Sequence, residues 1–419
     1  MSSKKILLVC DFYYPNATSI GVCTHKVAKA LQYHSNEVQV LTFGDCKDGN
    51  QGEYDGVNYF CIKKRFHERC IDLGKKTGGV TGRLIINIGK LKCRLWQLLW
   101  FPFFRMDSLI VPLRYYWAIS KLHVRNNYDM IVATYNPFEG MLASKWFKKR
   151  HTNVFLCLYI LDTLTDIGKT RFISEKLNDK MGWRWEKKIF PWCDQIINLR
   201  CHEEHHAQER YDLFRSKMVY SDIPLLEENN NIGGYFDSEH THFVYTGRLL
   251  KTRSSAYLLS LIEVVSATKP YVLHFFSSGD EEDLIKHYEK KTSYKIIGHG
   301  IIPHSQISLI LKSADVLVSI SNSASEKITS KIFEYISTGN RIVHFQKDDS
   351  DPAINYYQKY SNVLVLNEND SQEKSINALV SFLKAPNMKI EFNVLEKSFV
   401  ENLPSYTADL IMGSLMKAD

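Results

Sequence analysis

The chain has 419 residues, 44% hydrophobic and 24% charged, a globular composition with material for two cores. Global disorder, collagen and coiled coil are excluded on those figures. Lys plus Arg number 53 against 46 Asp plus Glu, a net charge of +7, which admits nucleotide phosphates, nucleic acid or a membrane surface as partners without choosing among them.

The N-terminus has two lysines and an apolar run from Ile6 to Cys10. Asp11 ends the run and no small-residue cleavage site follows, so a buried strand is expected rather than a secretion signal. No stretch reaches the ~18 uninterrupted apolar residues of a spanning helix. Short β-branched runs then alternate with helical patterns and predict strands at 5–10, 37–43, 59–62, 130–134, 154–159 and 195–199. A second series follows at 242–246, 271–276, 294–297, 315–320, 341–345 and 362–366. Runs such as ILLVC, VLVSI and NVLVL lack alternation, as do strands covered by helices on both faces. The pattern predicts an α/β protein with doubly wound parallel sheets. Two Rossmann-like domains facing each other across a cleft are expected, with ligands outside the carboxyl ends of the strands.

The first domain is expected at 1–224. The stretch 225–241, rich in Asn, Gly and acids, reads as a linker. A second domain is expected at 242–395, and 396–419 as a C-terminal helix packing back on the first domain. The nine cysteines lie between Cys10 and Cys201 without a CxxC pair, which predicts reduced, mostly buried thiols.

One segment, 63–117, departs from the alternation. Between Lys63 and Arg94 there are ten Lys or Arg and two acids. Leu84, Ile88, Leu91, Leu95 and Leu98 recur at helical spacing. Trp96, Trp100, Phe101, Phe103 and Phe104 follow. A basic, aromatic, amphipathic helix reads as an interfacial membrane element; the alternative is an insertion packed on the first domain with its basic face in solvent.

The chemistry-bearing motif is SEKITSKIFEYISTGN at 325–340. A helix beginning near Ser330 places Glu334 one turn in and leaves Glu326 on the preceding loop. Backbone amides at a helix start can hold phosphate, which makes Ser330 and Lys331 candidate donor-binding residues. Nearby carboxylates would contact hydroxyls, because they repel phosphate. The ligand expected from this pattern is a phosphorylated polyol such as a nucleotide sugar; without context, the same acids read as a solvated helix face. Gly247, Arg248, Lys251 and Arg253 follow the strand HFVYT, where cations can neutralise a departing diphosphate. Gly298, Gly300 and Ile301 form a Gly-rich turn after another strand. Gly21 follows the first strand, where a missing side chain lets the backbone approach a ligand. Asp162 and Asp166 follow VFLCLY and read equally as helix caps. The His-rich run 202–206 lacks zinc-protease spacing, and there is no Walker P-loop or GxSxG elbow.

Taken in series, these stretches resemble the retaining GT-B glycosyltransferases, the family of bacterial lipopolysaccharide and capsule sugar transferases. The resemblance runs from about residue 5 to 366. It is carried by KKILLVCDFYYPNATSIGVCTHKVAKAL, IVATYNPFEGMLASKWFKK with VFLCLYILDTLTD, HFVYTGRLLKTRSSAYLLSLI, GHGIIPHSQISLILKSADVLVSI and SEKITSKIFEYISTGNRIV. The last is similar to the family's Glu-x7-Glu element. The chain departs from the family in having one glycine, Gly21, where two often stand. It also offers Lys251 and Arg253 where an Arg followed by a Lys is usual.

The resemblance implies a hexose transferred with retention from a nucleoside-diphosphate sugar to a lipid-linked saccharide in surface polysaccharide assembly. It implies that Arg248, Lys251 and Arg253 stabilise the diphosphate, that Glu334 binds ribose and that Glu326 binds the donor sugar. Main-chain groups at Gly300 and Ile301 would bind the base. Asp162 would make an acceptor-side or transition-state contact. With no Asp-x-Asp motif suitably placed, no metal or other cofactor is expected. No nucleic-acid partner is expected, and the protein would be cytoplasmic, at the inner face of the cell membrane if the basic segment docks there. Two other readings are a nucleotide-sugar epimerase of the same fold and a non-catalytic, transferase-like partner subunit.

Overall fold

The computed structural model describes residues 3–44, 50–99, 110–165, 174–231, 234–250, 253–265, 270–293, 295–321 and 331–418. The chain divides into two compact units, Met1–Pro224 with Glu401–Asp419, and Leu225–Val400.

The first unit is built on eight strands: β1 (Lys5–Phe12), β2 (Glu37–Phe43), β3 (Gln51–Tyr54), β4 (Val57–Ile62), β5 (Met130–Thr134), β6 (Phe155–Ile160), β7 (Gln195–Leu199) and β8 (Met218–Ser221). Their spatial order is β3-β4-β2-β1-β5-β6-β7-β8. Among the described residues of this sheet only the β3–β4 pair is antiparallel. Central β1 is buried on both faces, with Leu8 opposite Val40 of β2 and Val132 of β5. Each such aliphatic side chain contributes about 1.5–3 kcal/mol on burial. The crossover helix Ser19–Tyr33 starts at Thr18, whose Oγ1 accepts the Gly21 N–H at 3.2 Å. The last helix, Pro404–Ala418, belongs to this unit. Leu410 O accepts Gln195 Nε2 at 3.0 Å, and Thr407 and Ser221 hydroxyls meet at 2.5 Å.

The second unit has six parallel strands: β9 (Thr241–Leu249), β10 (Tyr271–Gly279), β11 (Ile296–Gly298), β12 (Val316–Ile320), β13 (Arg341–Gln346) and β14 (Val363–Asn367). Their order is β11-β10-β9-β12-β13-β14. The path from β9 runs outward to β10 and β11, then returns to β12 on the other side of β9. The β9/β12 boundary is therefore the topological switch point; β1/β5 is its counterpart in the first unit. The expected linker is part of the second unit rather than a bare tether. Asn229 donates to Ser308 O at 2.9 Å, and the Gly234 and Tyr235 N–H groups both donate to Ser313 Oγ at 3.2 Å. Its Asn and Gly residues strap it along helix His304–Ser313.

The basic segment is a helical hairpin, Phe66–Thr77 and Gly79–Leu99. Gly78 and Gly79, at φ 66° and 56°, make the turn in a region L side chains avoid. The helices touch along small residues. A Cβ on Gly82 would lie 2.3 Å from Gly74 O, and one on Gly89 would lie 2.6 Å from Cys70 Cβ. Arg65 anchors the hairpin: its guanidinium donates to buried Glu139 at 2.7 Å and covers the Phe43 ring. Val80, Leu84, Ile88, Leu91 and Leu95 form one exposed apolar stripe. Trp100, Phe101, Phe103 and Phe104 lie outside the described residues. Among those residues no helix is long and apolar enough to cross a membrane. The expectation of wholly reduced thiols is corrected at Cys61, which is disulfide-bonded. Cys10, Cys23, Cys70, Cys93, Cys157, Cys193 and Cys201 form no disulfide.

Candidate functional site

In the second unit, the carboxyl end of β9 carries Thr246, Gly247 and Arg248. A tight turn folds the chain back: Leu250 and Arg253 form an antiparallel bridge, and the Arg253 N–H donates to Leu250 O at 2.7 Å. The Arg253 guanidinium lies 3.5 Å from Arg248 O. Across the switch point, helix Lys331–Ile336 follows β12. Tyr335, buried, accepts the Thr246 N–H at 2.9 Å and meets the Thr246 hydroxyl at 3.1 Å. This fixes the helix against β9 and sets Lys331 Nζ 3.2 Å from Thr246 Oγ1. Lys331 also packs over Gly247, whose φ of 139° demands glycine; a Cβ there would meet the lysine stem at 3.5 Å.

Burial pulls the Lys331 pKa down, and the Arg253 charge adds to that, while Glu334 opposes it. The Arg253 charge thus bears on a largely buried lysine, with the Glu334 carboxylate beside it. That arrangement favours an anion richer in charge than one carboxylate. Arg248 is exposed at the same strand end. Gly300 lies beyond β11, two strands away. Its φ is 70°, and no atom stands within 4 Å of where a Cβ would sit, so its main chain is open to approach. Ile301 beside it is 83% exposed. Glu326, Ser330 and Lys251 lie outside the described residues.

The first unit's switch point is arranged differently. Asp11 at the end of β1 is buried and accepts Thr18 Oγ1 at 2.6 Å and Asn136 Nδ2 at 3.1 Å. Burial raises its pKa to about 6, against the pull of the Thr18 hydrogen bond. Gly21 does not offer its backbone to a ligand on its Cβ side: a Cβ there would lie 2.1 Å from Phe12 O. Its role is close packing of helix Ser19–Tyr33 on β1. Asp162, half-buried, follows β6, two strands from β1. Beyond it lies a buried polar cluster. Glu186 accepts the Leu164 N–H at 3.1 Å and the Tyr211 hydroxyl at 2.7 Å, while Thr165 reaches His205 at 2.7 Å. Burial pushes the Glu186 carboxyl up to about 7, opposed by these hydrogen bonds. Asp166 lies outside the described residues.

Sequence reasoning missed Asp11, Glu186 and Tyr335. Tyr335 had a usable signal, since it stands four residues after Lys331 and so shares its helix face. Asp11 read only as the end of an apolar run. A cavity lined by Phe243, Tyr271, Asp315 and Arg341 sits at the amino ends of the second sheet, opposite these candidate residues.

No protein-family model matches the chain, and no curated protein matches it in sequence. Solved structures do match, and they define a class of fold: two parallel-sheet α/β units of the GT-B type. The chain is similar to the apo form of the lipopolysaccharide outer core galactosyltransferase WaaB, with 10% identity, a TM-score of 0.54 and coverage of 99% of this chain and 100% of that one. It is similar to Anabaena HepE in complex with UDP and glucose, at 12% identity and TM-score 0.54, covering 99% and 98%. It is equally similar to the UDP-GlcNAc 2-epimerase of Methanocaldococcus jannaschii, at 9% identity and TM-score 0.54, covering 97% and 99%. At such identities the likeness establishes the fold and leaves the activity to the site.

Proposed function

We propose that the chain is a retaining glycosyltransferase that moves a hexose from a nucleoside-diphosphate sugar to a lipid-linked saccharide acceptor. The observation that carries this reading is the pairing of Arg253 with half-desolvated Lys331 at the β9/β12 switch point, with Glu334 beside them. Parallel sheets bind ligands at such a point, and HepE, a protein of this fold, was crystallised with UDP and glucose. The diphosphate sits against Arg253, Lys331 and Arg248, with Lys251 and Ser330 completing its cradle. Glu334 takes the ribose hydroxyls and Glu326 the sugar. The base lies on the open main chain of Gly300 and Ile301. Asp162, with the loop near Gly21, serves the acceptor side.

In the reaction, the acceptor oxygen bonds to the anomeric carbon as the bond from that carbon to the diphosphate oxygen breaks. The acceptor's hydroxyl proton passes to the departing diphosphate on the same face. The cations stabilise the charge that grows on the leaving group, so no metal or other cofactor is assigned to this step.

The exposed stripe Val80, Leu84, Ile88, Leu91 and Leu95, flanked by Arg83, Lys90, Lys92 and Arg94, suits the anionic inner leaflet of the cell membrane. A lipid-linked acceptor would be presented there, in surface polysaccharide assembly.

The test is to incubate the purified chain with UDP-, GDP- and ADP-hexoses, with and without a membrane lipid extract. Nucleoside diphosphate released only with the extract, alongside a glycosylated lipid, supports transfer. Conversion of the free donor without acceptor would establish the epimerase reading instead. Absence of both with all donors would favour the partner-subunit reading.

A further inference from the structure

Outside the donor site, the strap before β9 carries a cluster that the transfer does not use. Asp237 Oδ1 accepts the Glu239 and His240 N–H groups at 2.9 and 3.0 Å. Two imidazole nitrogens converge on the same oxygen: His240 Nδ1 at 3.0 Å and His242 Nε2 at 3.4 Å. The three ligand atoms all lie within 4.8 Å of one another. Asp237 and His240 are partly exposed, so the cluster is open to solvent on one side.

His242 supplies an independent observation. It is 3% exposed, and its Nε2 is buried with no hydrogen-bond partner. A buried polar atom left unmatched is costly and needs an explanation. Its other nitrogen, Nδ1, is matched: it lies 3.0 Å from His274 Nε2, and His274 Nδ1 lies 2.9 Å from His299 Nε2. Phe236 stacks on both His242 and His274, at 4.6 and 4.5 Å between ring centroids. The rings are therefore held in place.

A relay of neutral imidazoles must run in one direction. Run with His242 Nδ1–H donating to His274 and His274 Nδ1–H to His299, it leaves the His242 Nε2 lone pair for a cation; run in reverse, it makes Nε2–H a donor toward Asp237. In the first direction two acceptors face each other at 3.4 Å, and a cation between them is what makes that direction favourable. Having a second imidazole aimed at the same oxygen favours a metal ion over a single shared proton. For bonds near 2.0–2.1 Å, the edge of a tetrahedral zinc site is roughly 3.3 Å. The 3.0 and 3.4 Å separations bracket that edge. A metal-bound histidine characteristically donates its other N–H to an outer partner that fixes its tautomer, which here is His274.

We propose that Asp237, His240 Nδ1 and His242 Nε2 bind one divalent transition-metal ion of the zinc type, with the fourth position taken by water. Two imidazoles and one carboxylate select such an ion over magnesium or calcium, which prefer oxygen ligands. The ion pins the strap to the start of β9. Through His274 it also orients His299, which stands between Gly298 and Gly300. This proposal is independent of the transfer reaction.

The test uses the full-length chain, stripped with a chelator and titrated with zinc chloride by calorimetry. One equivalent is expected to bind at micromolar Kd or tighter, with no heat from magnesium chloride at the same concentration. His240→Ala and Asp237→Asn, both at partly exposed positions, should each weaken that equivalent at least tenfold while the far-ultraviolet circular dichroism stays unchanged. Cobalt loading should give the visible bands of a four-coordinate site, lost in both variants. Absence of zinc uptake by the folded wild-type chain would overturn the proposal, as would uptake that both variants match.

Discussion

The two switch points end the same kind of parallel sheet and are finished in opposite ways. At β1/β5 a buried carboxylate, Asp11, spends its lone pairs on Thr18 and Asn136, and the Phe12 carbonyl fills the space beside Gly21. At β9/β12 the Arg253 charge bears on the buried Lys331 with Glu334 beside it, and two strands away the turn at Gly300 leaves open space. The first arrangement is complete within the protein. The second gathers positive charge, and our reading of it as a donor site rests on that. A like strand order around the switch point therefore does not assign equal roles to the two ends; the sign of the charge and the remaining room distinguish them.

The glycines give the largest expected break in that contrast. Gly21→Ala drives a methyl into a backbone carbonyl and should cost about 3 kcal/mol of unfolding free energy, at the upper end for overpacking. Gly300→Ala meets no atom and carries only the left-handed backbone cost, about 1 kcal/mol. Denaturant melts of both variants decide this, and equal losses would erase the distinction between a packed and an open turn.

A pH series sharpens the picture of the first unit. Glu186 and Asp11 have folded-state pKa values raised to about 7 and about 6. Between roughly pH 4 and those values the folded state therefore holds more protons than the unfolded one. Their stabilising contribution is full below the unfolded pKa and is lost as pH rises through the folded values. Glu186→Gln should remove a fall on the order of 3 kcal/mol between pH 4 and 7. A stability profile with unchanged slope in that variant would contradict the assignment.

The strands were largely legible because runs such as ILLVC and VLVSI can only be buried on both faces. Two strands went unread. β3, Gln51–Tyr54, has almost no apolar content and forms only as the exposed antiparallel partner of β4. β8, Met218–Ser221, is a short edge strand. The strand end and helix start that carry Arg248, Arg253 and Lys331 were legible from GRLLKTR and SKIFEYI. What sequence could not supply was the pairing of Lys331 with Thr246, 85 positions away. The His242–His274–His299 relay escaped for the same reason: parallel register brings distant residues together, and no local spacing records it. At Gly21 the sequence did not show the close packing on the Phe12 carbonyl, because a glycine required for packing looks the same as one that faces a ligand.

Smaller effects are expected on the hairpin. Leu84→Ser with Leu91→Ser should weaken association with anionic lipid vesicles about tenfold in a flotation assay, and leave thermal stability nearly unchanged because both side chains are exposed. Undiminished vesicle binding would remove the stripe from the membrane reading.

The most direct test of the central claim is calorimetric titration of UDP, GDP and ADP into the wild-type chain, Lys331→Met and Arg253→Ala. One nucleoside diphosphate should bind the wild type, and each variant should bind it roughly 10- to 100-fold more weakly, as befits loss of a charge-assisted contact. Binding that neither substitution weakens would place the anion elsewhere and contradict the assignment of the β9/β12 switch point as the donor site.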